Sequence, residues 1–267
     1  MGAKATYVYC AVQAHRKPDL RRAPPGPAGL GAHRALDVGR GLWVVVADAP
    51  LPRYGEASIQ RGLHNMKWLS KCAVAHEAVV EYCLRARAVV PMKLFTIFEN
   101  DLRALAEIGR KRQQLDRSIR RVSGRREWGV RIREAPGSGL AGSVGPAGSV
   151  RTVRTVSTFS TFSTGASYLA AKKQARDATR ELAGRGQSRV NRAFAALAAL
   201  AADAQRHPPP AGGEQKTRLL LDAAFLVGTQ QIAKFRAAIR HLVRELGREG
   251  YGVELTGPWP PYNFIEP

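Results

Sequence analysis

The chain carries 42 Lys and Arg against 21 Asp and Glu over 267 residues, a formal net charge of +21. That length exceeds what one compact core needs and suits two domains of ordinary size, and a 7% aromatic content predicts cores built mostly of Ala, Leu and Val. No apolar run approaches about 18 residues, so no transmembrane span is expected. The three cysteines, Cys10, Cys72 and Cys83, lack CxxC spacing and read as reduced, buried thiols of a cytosolic protein.

Residues 6–12, Thr-Tyr-Val-Tyr-Cys-Ala-Val, form an apolar and β-branched run that predicts a buried strand with no signal peptide ahead of it. A basic, Pro/Gly-rich loop over 16–31 follows. Residues 41–47 predict a second buried strand, stopped at Asp48-Ala49-Pro50. The spacing of Ile59, Leu63, Met66 and Leu69, continued by Val74, Ala78 and Tyr82, predicts a helical region over 56–87. Residues 88–95 predict a strand that Pro91 confines to an edge or a bulge. Asn100 or Asp101 then caps a helix reaching about Arg121.

A second unit opens with the alternating strand 127–133. A low-complexity insertion at about 135–165 repeats Gly-Ser-Val, Arg-Thr-Val and Ser-Thr-Phe and reads as a mobile segment. A helix over 168–205, broken at Gly184-Arg185-Gly186, a loop over 208–213 and a central strand over 218–227 come next. Ile232, Phe235, Ile239, Leu242, Val243 and Leu246 mark the last helix, which Gly250-Tyr251-Gly252 turns into a strand at 253–255. The order is that of an α+β protein: two domains, 1–122 and 123–267, each a mostly antiparallel sheet with helices packed on it, the second ferredoxin-like.

The closing residues stand apart. Pro258, Pro260 and Pro261 forbid a helix or a central strand, so the segment is extended, and Trp259, Tyr262 and Phe264 have apolar surface to hide. On physics alone it is a clamp lying in a groove of its own domain. These six residues are also the candidate protein-binding set.

Other constellations fail on context. Gly137-Ser138-Gly139-Leu140-Ala141-Gly142 matches a dinucleotide pattern, but Ser143-Val144-Gly145-Pro146 cannot open the helix that the motif needs. Cys72 and His76, one helical turn apart beside Glu77, are too few for a metal site and read as a packed helix with a hydrogen-bonded histidine. Glu99, Asn100 and Asp101 read as a helix N-terminus. The run Arg110, Lys111, Arg112, Arg117, Arg120, Arg121, Arg125 and Arg126 lacks stacking aromatics and reads as a solvated helix face. No catalytic residue, metal or cofactor is assigned.

Eight segments in order resemble the GvpL/GvpF family of gas vesicle proteins. They are Tyr7-Val8-Tyr9-Cys10-Ala11-Val12, Leu42-Trp43-Val44-Val45-Val46, His76-Glu77-Ala78-Val79-Val80, Pro91-Met92-Lys93-Leu94-Phe95, Glu127-Trp128-Gly129-Val130, the stretch 163–169, Asp222-Ala223-Ala224-Phe225-Leu226-Val227, and Gly257-Pro258-Trp259-Pro260-Pro261-Tyr262-Asn263-Phe264. Many relatives carry Arg-Phe-Gly after the Pro-led strand, and Lys93-Leu94-Phe95-Thr96 here suggests a changed turn. The resemblance implies a minor, non-enzymatic gas vesicle component in the cytoplasm. It would bind the hydrophobic shell protein and other gas vesicle accessory proteins, support nucleation and limit aggregation. It implies no membrane and no small-molecule substrate. The rival reading, motivated by the charge alone, is a basic nucleic-acid-binding regulator; Arg, Ala, Gly and Pro rise together, as high-GC coding produces, so non-specific binding is the expected extent of it.

Overall fold

The structure is a computed structural model that describes residues 4–135, 165–208 and 218–265. Its first sheet is built from β1 (Lys4–Gln13), β2 (Arg34–Gly39), β3 (Leu42–Pro50), β4 (Ala88–Pro91) and β5 (Ile97–Phe98), in the order β2-β3-β1-β4 with β5 also on β1. Every pairing is antiparallel. Between β3 and β4 run α1 (Leu51–Tyr54), α2 (Glu56–Leu63) and α3 (Met66–Cys83); after β5 come α4 (Asp101–Arg110) and α5 (Arg112–Val122).

The second sheet holds β6 (Arg125–Glu134), β7 (Asp203–Arg206), β8 (Leu219–Gly228) and β9 (Tyr251–Trp259), ordered β7-β8-β6-β9 and again antiparallel. Its helices are α6 (Gly165–Ala198) and α7 (Ile232–Arg248). The protein is therefore α+β, with two antiparallel sheets carrying helices, and its second half runs β-α-β-β-α-β.

Three clusters of buried side chains stack these elements. Tyr7, Tyr9, Val45, Ala47, Val79 and Val80 seal the first sheet under α3. Trp128, Val130, Phe225, Phe235, Ile239 and Leu197 seal the second sheet under α6 and α7. The middle cluster joins Val8, Val44 and Val90 of the first sheet to Ile108 of α4 and Leu115 and Ile119 of α5. It also takes in Ala224 and Leu226 of β8 and Phe264 beyond β9. Alternation explains the sharing: on β8, Phe225 and Val227 face the outer helices while Ala224 and Leu226 face α5.

Several sequence expectations change. The hairpin strand β2 is absent from the reading because Leu36-Asp37-Val38 is short and interrupted by a charge. Strand β3 does not stop at Asp48 but runs to Pro50, paired with Lys4 of β1. The region 56–87 is not one helix: His64 and Asn65 divide it, and Asn65 accepts the Trp68 N–H as an N-cap. Its inner face is Cys72, His76, Val79, Val80 and Cys83, whereas Met66 and Val74 point outward, 69% and 71% exposed. The helix expected to run from Asp101 to about Arg121 is divided at Lys111, with Asn100 capping its start.

Helix α6 does not break at Gly184-Arg185-Gly186. A Cβ on Gly186 would meet the Tyr251 hydroxyl at 2.6 Å, so that glycine serves close packing. The helix ends at Ala198, short of Gln205, because residues 203–206 pair with β8 as an edge strand. Strand β9 exceeds the expected 253–255 and passes through Pro258, which an edge strand tolerates because the missing N–H faces no partner strand. The low-complexity insertion, apart from its ends, the Gly137–Gly142 pattern and most of the 208–213 loop lie outside the described residues.

Candidate functional site

The segment after β9 is the place where the two sheets meet. Glu127 of β6 pairs with Trp259 across a register shift that begins beyond Gly129. Gly257 makes the bend: its φ is +108°, and a Cβ there would meet the Glu127 carbonyl oxygen at 2.9 Å. Only glycine fits that approach. The chain then divides its six candidate residues by side. Pro260, Pro261 and Phe264 are buried, Phe264 wholly; Pro258, Trp259 and Tyr262 are exposed, the two aromatics 39% and 37%.

Tyr262 and Asn263 bind one carboxylate from each half of the chain. The Tyr262 hydroxyl donates to Glu77 Oε2 of α3 at 2.6 Å. The Asn263 backbone N–H donates to Glu127 Oε2 at 3.0 Å, and its side-chain Nδ2 donates to Oε1 at 2.5 Å. His207 Nε2 donates to Asn263 Oδ1 at 3.1 Å. The Arg121 guanidinium lies 6.0 Å from the Phe264 ring centroid. The tail is thus a clasp across both sheets, not a clamp within its own domain as the sequence suggested.

Burial pushes the Glu127 carboxyl above the ordinary carboxylate range, and the two Asn263 donors partly oppose that shift. Glu77 moves the same way for the same cause, opposed by the Tyr262 hydroxyl. Tyr262 is raised in turn, first by burial of its hydroxyl and then by the Glu77 charge. A cavity of about 350 Å³ opens beside the clasp, walled by Tyr262, Ile265, Met92, Phe98, Ile108 and Leu115. Its wall is mostly apolar, with Lys93, Glu107 and Lys111 also lining it.

The other candidates resolve as structure. His76 is 3% exposed; its Nε2–H donates to the Met92 carbonyl at 3.2 Å, leaving Nδ1 to accept from the Tyr7 hydroxyl at 2.7 Å. Burial lowers its pKa to about 4, so it is neutral. The Phe95 N–H reaches the Tyr7 oxygen at 3.5 Å, and Phe95 holds a φ of +63° while its ring stacks on Trp68. The turn that the missing glycine called into question is therefore made by a phenylalanine in the left-handed region.

Asp101 does not cap its helix. It takes the Arg34 guanidinium through both oxygens, and the Thr6 hydroxyl donates to Oδ1 at 2.6 Å. The arginine run is less solvated than expected, because Arg112 donates to the Val38 and Gly39 carbonyls, Arg126 to the Leu84 carbonyl and Arg121 to Asp203. Among the described residues no group of three His, Cys, Asp or Glu is placed to hold a metal ion, and no helix is long and apolar enough to cross a membrane. Sequence reasoning overlooked Glu77, Glu127 and Asn263 as a set. Local pattern did not mark Glu127, because its strand also carries Arg131 and Arg133 at alternating positions.

Comparison with known proteins finds related sequences and a similar fold. The family described as gas vesicle synthesis protein GvpL/GvpF matches residues 5–266. Gas vesicle protein L of Streptomyces sp. (strain CB03234) is 30% identical over 251 residues, covering 90% of this chain and 86% of that protein. The crystal structure of GvpF from Anabaena sp. PCC7120 is similar with a TM-score of 0.67 at 16% identity, over 99% of this chain and 97% of that one. GvpF from Microcystis aeruginosa gives 0.65 at 15% identity, over 98% and 99%. At such identities the likeness of structures speaks for the fold.

Proposed function

The chain belongs to the GvpL/GvpF family of gas vesicle synthesis proteins, and from that premise we propose that it is a non-enzymatic assembly factor for the vesicle shell. In this reading it is a minor component of the cytoplasmic gas vesicle that covers the apolar surface of the hydrophobic shell protein, supports nucleation and limits aggregation. Other accessory proteins of the vesicle would be its further partners. A subunit that tiles a gas-facing wall exposes apolar area before it assembles, and a partner must hide that area reversibly.

The observation that carries the reading is the sidedness of the clasp. Pro260, Pro261 and Phe264 fix it from within; Pro258 and Trp259 stand exposed at the sheet edge, and Tyr262, tied to Glu77, forms part of the cavity wall. Rigid aromatic anchors beside a pocket are what an interface hot spot needs, since little side-chain freedom is lost on binding. The second half, 123–267, is read as a ferredoxin-like domain from its element order, with 1–122 as the other domain; limited proteolysis yielding fragments cut near residue 122 supports that division, and resistance there counts against it.

Light scattering of purified shell protein, with and without this chain at equal concentration, tests the function. Suppression by the natural chain and its loss with Trp259→Ala are expected. No suppression, or an unchanged effect of the variant, refutes the role assigned to the clasp.

A further inference from the structure

The outer layer of the second half carries a charge pattern that the clasp does not use. Over residues 184–198 of α6 and 232–249, which span α7, eight Arg and Lys face two Glu. Arg185, Arg189 and Arg192 recur at spacings of four and three on α6, and Arg236, Arg240, Arg244 and Arg248 at spacings of four on α7. Such spacings lay each set along one side of its helix. Both glutamates are engaged: Glu249 pairs with Arg189, and Glu245 with His241. Among the described residues Arg192, Arg240, Arg244 and Arg248 have no ion-pair partner and stand exposed.

Between the helices lies a groove of about 480 Å³, with Ala193, Ala196, Leu242 and Leu246 along it and Arg189, Arg192 and Arg248 among its walls. Small aliphatic side chains flanked by guanidinium groups suit a ligand that is apolar on one stripe and anionic on its flanks. We infer that this α6–α7 groove docks an acidic amphipathic helix of a partner protein. Leu-type residues at i, i+3 and i+4 would lie over Ala196 and Leu242, while flanking carboxylates reach Arg192 and Arg248, some of them bidentately.

The same charge does not favour nucleic acid. A phosphate chain gains nothing from the aliphatic floor of Ala193, Ala196 and Leu242. Base stacking needs an exposed aromatic; among the described side chains of these helices Phe235 is fully buried and Phe194 lies under the Arg206 guanidinium, 4.1 Å away. The acidic helix satisfies both the floor and the rim.

The test uses the full chain and fluorescence anisotropy near physiological ionic strength. Three labelled probes are compared: a helical peptide with a Leu stripe between Glu flanks, a polyglutamate of equal charge, and a short DNA duplex. The amphipathic peptide is expected to bind about ten-fold tighter than either other probe, and the double variant Arg192→Glu, Arg248→Glu to weaken it about ten-fold. Both positions are exposed, so the double variant should keep the thermal midpoint of the natural chain, and the Arg192→Gln, Arg248→Gln pair should fall between the two. Duplex binding as tight as the peptide's, equal binding of polyglutamate, or an unaffected double variant overturns the inference. Suppression of shell-protein aggregation should survive the double variant, which separates this groove from the clasp.

Discussion

The outer faces of the two sheets are both sealed by helices, yet the seals differ in kind. Beneath α3 the first sheet buries Tyr7, Tyr9, Tyr54, His76 and three free thiols. Tyr7 and Tyr9 lie 4.8 Å apart, and His76 stacks on Tyr9 at 5.5 Å. Beneath α6 and α7 the second sheet buries aliphatic chains around Phe225 and Phe235, whose rings are 5.5 Å apart. The first seal is held in part by buried hydrogen bonds, Tyr7 to His76 and Tyr54 to the Ala28 carbonyl, the second by shape. A core of the first kind responds to pH and to deletion of single hydroxyls; a core of the second kind responds to lost volume.

The largest expected effect is on volume. Phe235→Ala in the second core should cost about 3–5 kcal/mol in denaturant unfolding. Phe264→Ala should cost a similar amount, and because Phe264 belongs to the cluster shared by both sheets, probes in either half should report the loss together. If only the second half responds, the clasp does not join the two.

Acid should separate the seals next. The folded pKa of His76, about 4, lies below its usual value of 6.5. Its contribution is therefore present above 6.5 and is lost as pH falls through 4, a loss of up to about 3 kcal/mol. Glu77 and Glu127 have raised pKa values and act in the opposite sense: the penalty of their buried charge is relieved as pH falls through their folded values. Urea midpoints measured from pH 7 to pH 4 should fall less in His76→Gln than in the natural chain. An equal fall in both would show that the first seal is not the acid-sensitive one.

Tyr7→Phe should cost about 1–2 kcal/mol, because His76 Nδ1 is left buried without a donor. Calorimetry can set this against the second core, where among the described residues no buried tyrosine–histidine hydrogen bond is present. The smallest effect belongs to Trp259→Ala, under about 1 kcal/mol by the same measurement, since its side chain is held outward at the sheet edge.

What the sequence disclosed follows the same divide. Strands β1 and β8 and helix α7 were readable because their apolar residues recur at the period of the element. Pro258, Pro260 and Pro261 announced an extended segment for the equally local reason that proline fixes its own backbone, but Tyr262–Phe264 departs from that expectation and forms a 3-10 turn. The face of α3 was misread because periodicity ranks Val74 above His76; the structure inverts them, since Tyr7, 69 residues away, supplies the hydrogen bond that lets His76 be buried. The clasp's carboxylates were hidden for the same reason: Tyr262 and Glu77 are 185 residues apart, and Asn263 and Glu127 are 136. Polar partners separated by such distances leave no trace in a window of neighbouring residues.

Phe264 and its neighbours follow every strand of both sheets in the chain. The middle layer therefore cannot finish packing before this segment docks, because the Phe264 ring fills the space among Leu115, Ile119 and Leu226. Joining of the two sheets is in that sense the final act of folding, whatever the order in which each sheet forms.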